Sequence, residues 1–149
     1  MKTYLKLFIL LAIVGQSCAK RKTDPTLSDL LNGTFKAKEV KEATLVVFRE
    51  GAASNIIPGY SKYRITFLVT SSGRRNVKLT EYSGEVFEGT WSFDEANKLL
   101  TFNNLSPRPA AGNLAFNVDK LEKGTLILRN TKPNPKTGET LNQYSLVPE

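Results

Sequence analysis

The stretch Gly89 to Asn104, GTWSFDEANKLLTFNN, decides the fold of this chain. Two runs in which apolar and polar residues alternate flank a short polar break, which is the pattern of a β-hairpin. In the first run Phe87, Gly89, Trp91 and Phe93 share one face, with Glu88, Thr90 and Ser92 on the other. In the second, Leu100 and Phe102 share a face and Leu99 and Thr101 lie opposite. The break Asp94-Glu95-Ala96-Asn97 suits a four-residue loop built on a type I turn, with Asn97 at positive φ. The hairpin holds the only Trp in the chain, so it belongs at the centre of an all-β core.

The same alternation extends outward from the hairpin. Tyr63 to Thr70 puts Tyr63, Ile65, Phe67 and Val69 on one face, and Ser71 to Arg75 turns the chain into a strand over Asn76 to Tyr82. Ser83-Gly84-Glu85 then leads into Val86 to Phe93. Upstream, Thr34 to Val40 and Thr44 to Arg49 are β-rich, either one bent strand or two strands parted at Lys41-Glu42. Downstream, Pro107 and Pro109 mark a loop, because proline cannot donate to a strand ladder. Leu114 to Leu121 and Thr125 to Asn130 follow, joined by Glu122-Lys123-Gly124, and Asn142 to Val147 closes the chain after the loop Pro133 to Gly138. Ser28 to Leu31 suffices for one helical turn. About eight short strands at this spacing predict an antiparallel sandwich or an up-and-down barrel, as one domain over residues 30–149.

The first seventeen residues do not belong to that domain. Lys2 and Lys6 precede Leu7 to Val14, an unbroken apolar run of eight. A spanning helix needs about 20 apolar residues, so residues 1–17 are predicted to be a signal peptide. They end in Gly15-Gln16-Ser17 before Cys18, the only cysteine of the chain. A lone cysteine in an exported protein has no intramolecular partner. The arrangement resembles a bacterial lipobox, which implies cleavage before Cys18 and its lipidation, hence a membrane partner reached through that residue. Residues 18–29 are polar and contain a proline, which predicts a flexible tether. Lys20-Arg21-Lys22 stands where surface-exposed lipoproteins of the Bacteroidota carry acidic residues. That resemblance implies the outer membrane with the domain facing the periplasm.

Charge excludes one class of partner. The chain has 21 basic and 14 acidic residues. Without Lys2, Lys6 and the basic trio the chain keeps 16 basic residues against 14 acidic ones, which is nearly neutral. Nucleic-acid binding needs a basic face on the domain itself and is not expected. Enzymatic chemistry is not expected either. The chain has no His, the commonest general base and metal ligand, and an acylated Cys18 leaves no thiol. Glu85 and Glu88 lie three apart, on opposite faces of a strand. No cofactor or metal is expected.

Several short motifs carry a family likeness. Leu30-Leu31-Asn32-Gly33-Thr34-Phe35-Lys36 resembles the opening of lipocalin-like proteins, with Phe35 in place of their Trp. Gly89-Thr90-Trp91-Ser92-Phe93, Lys98 to Phe102, Gly124 to Leu128 and Tyr144 to Pro148 are similar to small lipocalin-like lipoproteins of the Bacteroidota. The resemblance implies an eight-stranded antiparallel barrel, open at one end, with an apolar cavity. Such a barrel either fills with side chains or holds one small ligand. Phe67, Trp91, Phe102 and Phe116, at inward-type positions with Phe93, are therefore either core or ligand-lining residues. The thirteen residues Glu50 to Lys62 are long for a hairpin connection, and long loops in compact domains tend to be functional. Ile56, Ile57 and Tyr60 within it would either cover the mouth of a cavity or seal the barrel end as core. Two functions follow: a module binding a small apolar ligand or lipid, or an accessory lipoprotein docking on an envelope protein partner.

Overall fold

The computed structural model describes residues 27–149 apart from residue 111, so the signal, Cys18 and the predicted tether up to residue 26 lie outside the described residues, while the last three tether positions, 27–29, fall in the first helical turn. One helical turn, α1 (Leu27–Leu31), is followed by nine strands in sequence. These are β1 (Gly33–Glu42), β2 (Leu45–Arg49), β3 (Arg64–Val69), β4 (Arg75–Thr80), β5 (Val86–Asp94), β6 (Leu99–Ser106), β7 (Leu114–Glu122), β8 (Thr125–Asn130) and β9 (Asn142–Pro148). From β3 to β9 each strand pairs antiparallel with the next, and β9 returns to pair with β1 from Phe35↔Pro148 to Glu42↔Asn142. The result is a closed antiparallel barrel of eight strands, β1 and β3 to β9, with β2 as an extra strand. Closure removes the sheet edges that a sandwich would leave.

Strand β1 makes room for the extra strand by dividing one of its edges. Gly33 to Lys36 pair with β3, and Glu39 to Glu42 pair with β2. The two runs left open in the sequence are thus separate strands, parted at Ala43-Thr44 rather than Lys41-Glu42, with Ala43 at φ 52°. Register shifts in β1 at Ala37/Glu39 and Val40/Lys41 bend it through this junction; such bulges re-aim a strand.

The central hairpin is β5–β6, paired Trp91↔Phe102 and Phe93↔Leu100. Its loop sits one residue later than predicted. Asp94 pairs with Leu99, and Lys98, not Asn97, takes the positive φ of 50°. Asn97 is held instead by Asp94: its backbone N–H donates to Asp94 Oδ1 (3.1 Å) and its Nδ2 to Oδ2 (2.7 Å). A side chain fixed to the start of the turn leaves the next residue to make the left-handed step. Gly89 has no room for a side chain, because a Cβ there would run into the backbone carbonyl of Asn103.

The barrel interior holds the core. Phe35, Ile65, Phe67, Leu79, Trp91, Leu100, Phe102, Phe116, Leu128 and Leu146 are all buried, and Phe93 packs against them half-buried. The predicted inward face of β3 holds for Tyr63, Ile65 and Phe67 but not for Val69, which is exposed at the strand end. Helix α1 closes one end, with Leu31 fully buried, beside the β7–β8 turn and the chain's C-terminal residues. The opposite end carries the β4–β5 turn (residues 81–85), the loop between β8 and β9, and a 3-10 turn over Pro58–Lys62.

Candidate binding site at the tyrosine-lined end

Four of the chain's five tyrosines, Tyr60, Tyr63, Tyr82 and Tyr144, meet at the end opposite α1. Tyr63 and Tyr144 reach it because each occupies an inward position at the start of a strand on that side. Their rings stack at 4.8 Å with planes 9° apart. Tyr60 comes from the 3-10 turn and lies 4.9 Å from Tyr82 and 6.3 Å from Tyr144, ring centre to ring centre. Its hydroxyl donates to Glu42 Oε1 at 3.0 Å. The turn approaches Tyr82 so closely that a Cβ on Gly59 would stand 2.7 Å from the Tyr82 carbonyl oxygen. Only glycine permits that approach.

The long loop therefore has a structural role at two points. Ahead of the 3-10 turn it runs beside β2, whose outer edge would otherwise be unpaired. Ile57 N–H donates to Val47 O (3.0 Å), while the Asn55 side chain accepts from Arg49 N–H (2.7 Å) and donates to Arg49 O (3.2 Å). An amide side chain thus takes the place of a neighbouring strand, one way a protein blunts an edge. Of the residues singled out in this loop, Tyr60 is core at 1% exposure, Ile57 packs half-buried against the core, and Ile56 faces solvent at 64% exposure.

The other four residues singled out as ligand-lining form a chain of ring contacts along the barrel. Phe67 packs edge-on to Trp91 (5.5 Å) and Phe102 (5.9 Å), Phe102 lies 5.3 Å from Phe116, and Phe116 meets Tyr144 at 6.2 Å. Phe35 joins at Phe67, 6.0 Å away. Rings at these separations are in contact, and all of them are at most 4% exposed. They touch one another and fill the axis. Trp91 Nε1 is buried without a hydrogen-bond partner, and the Arg75 guanidinium sits 4.9 Å from the ring centre.

Space remains at the tyrosine end, in a recess of about 20 Å³ lined by Tyr63, Leu79, Glu81, Tyr82, Leu114, Phe116, Asn130, Asn134 and Tyr144. A volume of roughly 10–15 Å³ suffices for one water. Asn130 Oδ1 is buried there without a partner. The loop between β8 and β9 closes over this end. Asn142, fully buried, accepts from Thr140 Oγ1 (2.7 Å) and Thr137 Oγ1 (3.2 Å) and donates to Tyr144 Oη (3.4 Å). Lys136 straps the loop to the β4–β5 turn, donating to Glu81 Oε2 (2.6 Å) and Glu85 Oε2 (2.7 Å).

Electrostatics keep the phenols neutral. Burial pushes Tyr144 up to about 12, partly offset by hydrogen bonds from Asn142 and Asn134. Tyr60 and Tyr63 are also raised well above the ordinary value, by burial first, with Tyr144 and nearby carboxylates adding to the effect. Their hydroxyls are hydrogen-bonding groups, not phenolate bases. Among the described residues no group of three or more Asp, Glu, His or Cys side chains is placed to hold a metal.

Sequence reasoning put Tyr63 on an inward face and Tyr60 in a functional loop. It missed that these meet Tyr82, Tyr144 and Asn130. The available signal was the pair of alternating runs that begin at Tyr63 and end at Tyr82, and the alternation of Asn142, Tyr144 and Leu146. Nothing local to Asn130 distinguishes it from a polar strand end.

No family model matches the chain, and no curated protein matches it. Two solved structures are similar over 80% of this chain and 99% of their own. One is a lipocalin-like protein from Bacteroides uniformis, at 13% identity and a TM-score of 0.46. The other is an uncharacterized protein from Bacteroides eggerthii, at 14% identity and a TM-score of 0.45. The strand pairing alone carries the assignment of the barrel.

Proposed function

We propose that this protein is a non-enzymatic, outer-membrane-anchored lipoprotein that holds a small apolar ligand or lipid at the tyrosine-lined end of its barrel. Acylated Cys18 is its anchor, and the domain faces the periplasm. The observation that carries the ligand reading is the buried Asn130 Oδ1, which faces a small aromatic recess with no partner of its own. Buried polar atoms are almost always hydrogen-bonded, and a recess of about 20 Å³ admits one water-sized group, so it would receive only the polar end of a guest whose apolar part lies outside it. The filled axis moves that guest away from Phe67, Trp91 and Phe102. Attachment through the tether agrees with this arrangement, since the chain enters the barrel at the end opposite the tyrosines.

The test is native mass spectrometry and lipid extraction of the protein purified from its own envelope. A small molecule that co-purifies and is lost on unfolding is the expected result; protein carrying nothing beyond its own acyl chains would contradict the ligand reading. Cys18→Ala should abolish labelling by a fatty-acid analogue and release the protein into the soluble fraction.

A second reading, docking on an envelope protein partner, is favoured by exposed Leu45, Ile56 and Leu141 at the same end. Cross-linking from position 56 in whole cells would reveal that partner.

A further inference from the structure

Two loops border the recess at the tyrosine end, and they are held in different ways. The loop of residues 50–62 is tied to β2 by the Asn55 side chain and the Ile57 N–H, and Tyr60 is sunk in the core. The β8–β9 loop has no such plug: none of residues 131–141 is buried. Its tip is a self-contained hairpin. Asn134 N–H donates to Thr140 O (2.9 Å), and the N–H groups of Thr137 and Glu139 both donate to Asn134 O (3.1 Å). The Asn134 side chain accepts from Lys136 N–H (3.0 Å), and Gly138 and Glu139 turn the chain at φ 70° and 61°. A hairpin bonded to itself in this way moves as one body without breaking its own hydrogen bonds.

The two flanks of the hairpin are unequal. On one side an open groove of about 380 Å³ separates it from the β6–β7 loop, with Ala110 and Asn113 on that loop and Pro133, Pro135 and Glu139 on the hairpin's side. On the other side Lys136 reaches across to the β4–β5 turn. It donates to Glu81 and Glu85, and its Nζ stands 5.8 Å from the Phe87 ring centre. Among the described residues these are the two ion pairs of the loop. The Lys136 and Glu85 side chains are partly exposed, at 27% and 57%, and ion pairs open to water are weak. A hold of that kind closes a loop without locking it. The remaining ties are hydrogen bonds from Thr137 and Thr140 to Asn142 Oδ1 and from Asn134 to Tyr144, which water entering on opening would replace.

Resting on the ligand-binding reading above, we infer that residues 132–140 are a hinged door to the recess, latched by Lys136 on Glu81 and Glu85. Release of Lys136 swings the hairpin into the outer groove. The base stays in place, because Thr131 N–H donates to Ala115 O and Leu141 O accepts from Ala43 N–H, both at 3.1 Å. The swing withdraws the wall that Asn134 provides and joins recess to groove past Leu114 and Asn130, which line both. The unpartnered Asn130 Oδ1 is then reachable from outside. Entry is at the β8–β9 loop and not beneath residues 50–62.

Nitration by tetranitromethane, mapped by peptide mass spectrometry on protein purified from its own envelope in detergent micelles, tests this without any ligand. Tyr63 and Tyr144 are 3% and 4% exposed with the door closed, so their nitration should be slow. Lys136→Met keeps the stem of the latch and removes its charge. It should speed nitration of both tyrosines by about threefold or more, the scale of losing a partly exposed ion pair, with the urea midpoint nearly unchanged. Glu81→Gln combined with Glu85→Gln should do the same while leaving Lys136 in place. Asn55→Ala frees the other loop from β2 and should leave both tyrosines slow. Rates unchanged in both latch variants, or raised only as far as a lowered midpoint explains, would overturn the inference. So would a rise with Asn55→Ala as large as with Lys136→Met, which would put the entrance at residues 50–62. A molecule retained from the envelope would uphold the ligand reading in that case; faster nitration of a protein that carries nothing would uphold the door and remove the ligand.

Discussion

Trp91 is anchored on three sides by the chain and on none by its own N–H. It packs against Phe67, lies under Arg75, and pairs in register with Phe102, yet Nε1 has no acceptor. The two facts separate two substitutions. Trp91→Ala removes a buried ring and should cost about 3–5 kcal/mol, a large part of the roughly 5–15 kcal/mol available to a domain. Trp91→Phe keeps a ring and removes an unsatisfied donor whose burial costs about 1–3 kcal/mol, so its loss should stay below about 2 kcal/mol. Urea midpoints of the two variants check this; equal losses would mean that the indole N–H has a partner. That Trp91 is core was legible in the sequence, from alternation alone. That its N–H is orphaned was not, because the acceptor it lacks would have to come from a strand far away in the chain.

At the scale of elements, the hairpin β5–β6 and the meander around it were legible because period-two alternation and turn chemistry act locally. The division of β1 was not: a strand that serves β3 with one half and β2 with the other is a property of barrel closure. The loop of residues 50–62 shows the same limit. Its length and its isoleucines suggest either a lid or a plug at the barrel end; Asn55 and Ile57 satisfy the edge of β2 and Tyr60 completes the core. The two isoleucines therefore separate. Ile56→Ser, at an exposed site, should change stability by no more than about 0.5 kcal/mol. Ile57→Ser removes a half-buried aliphatic and should cost about 1–2 kcal/mol, part of the full-burial value of about 1.5–3 kcal/mol. Denaturant midpoints measured side by side decide it, and a larger loss for Ile56 than for Ile57 would contradict the placement of this loop.

The whole molecule carries its ionic groups in two layers with opposite pH responses. On the outer wall, hydrogen bonds from Arg49 hold Glu39 below its usual carboxylate value of 4.5, and hydrogen bonds from Arg129 hold Asp119 below 3.8. A lowered value means that the unfolded chain binds protons first, so this stabilisation is complete above those values and lost as pH falls through them. Inside, Tyr60, Tyr63 and Tyr144 are raised above 10. Their neutral forms are favoured only in the fold, so that stabilisation is complete below pH 10 and declines as pH rises toward the folded value, about 12 for Tyr144. A urea midpoint flat through the neutral range and falling on both sides is expected, with tyrosinate absorbance from these three appearing only as the chain unfolds. Ionisation of all three in the native state would contradict the closed tyrosine cluster.

With the barrel axis filled by rings, the proposed guest space lies at the tyrosine end. Intermolecular nuclear Overhauser effects between hexanol and assigned aromatic and methyl protons of the domain test this most directly. Contacts to Tyr63, Tyr144 and Leu114, with none to Phe67, Trp91 or Phe102, are expected. Contacts to Phe67, Trp91 and Phe102 would contradict the account and put the ligand inside the barrel.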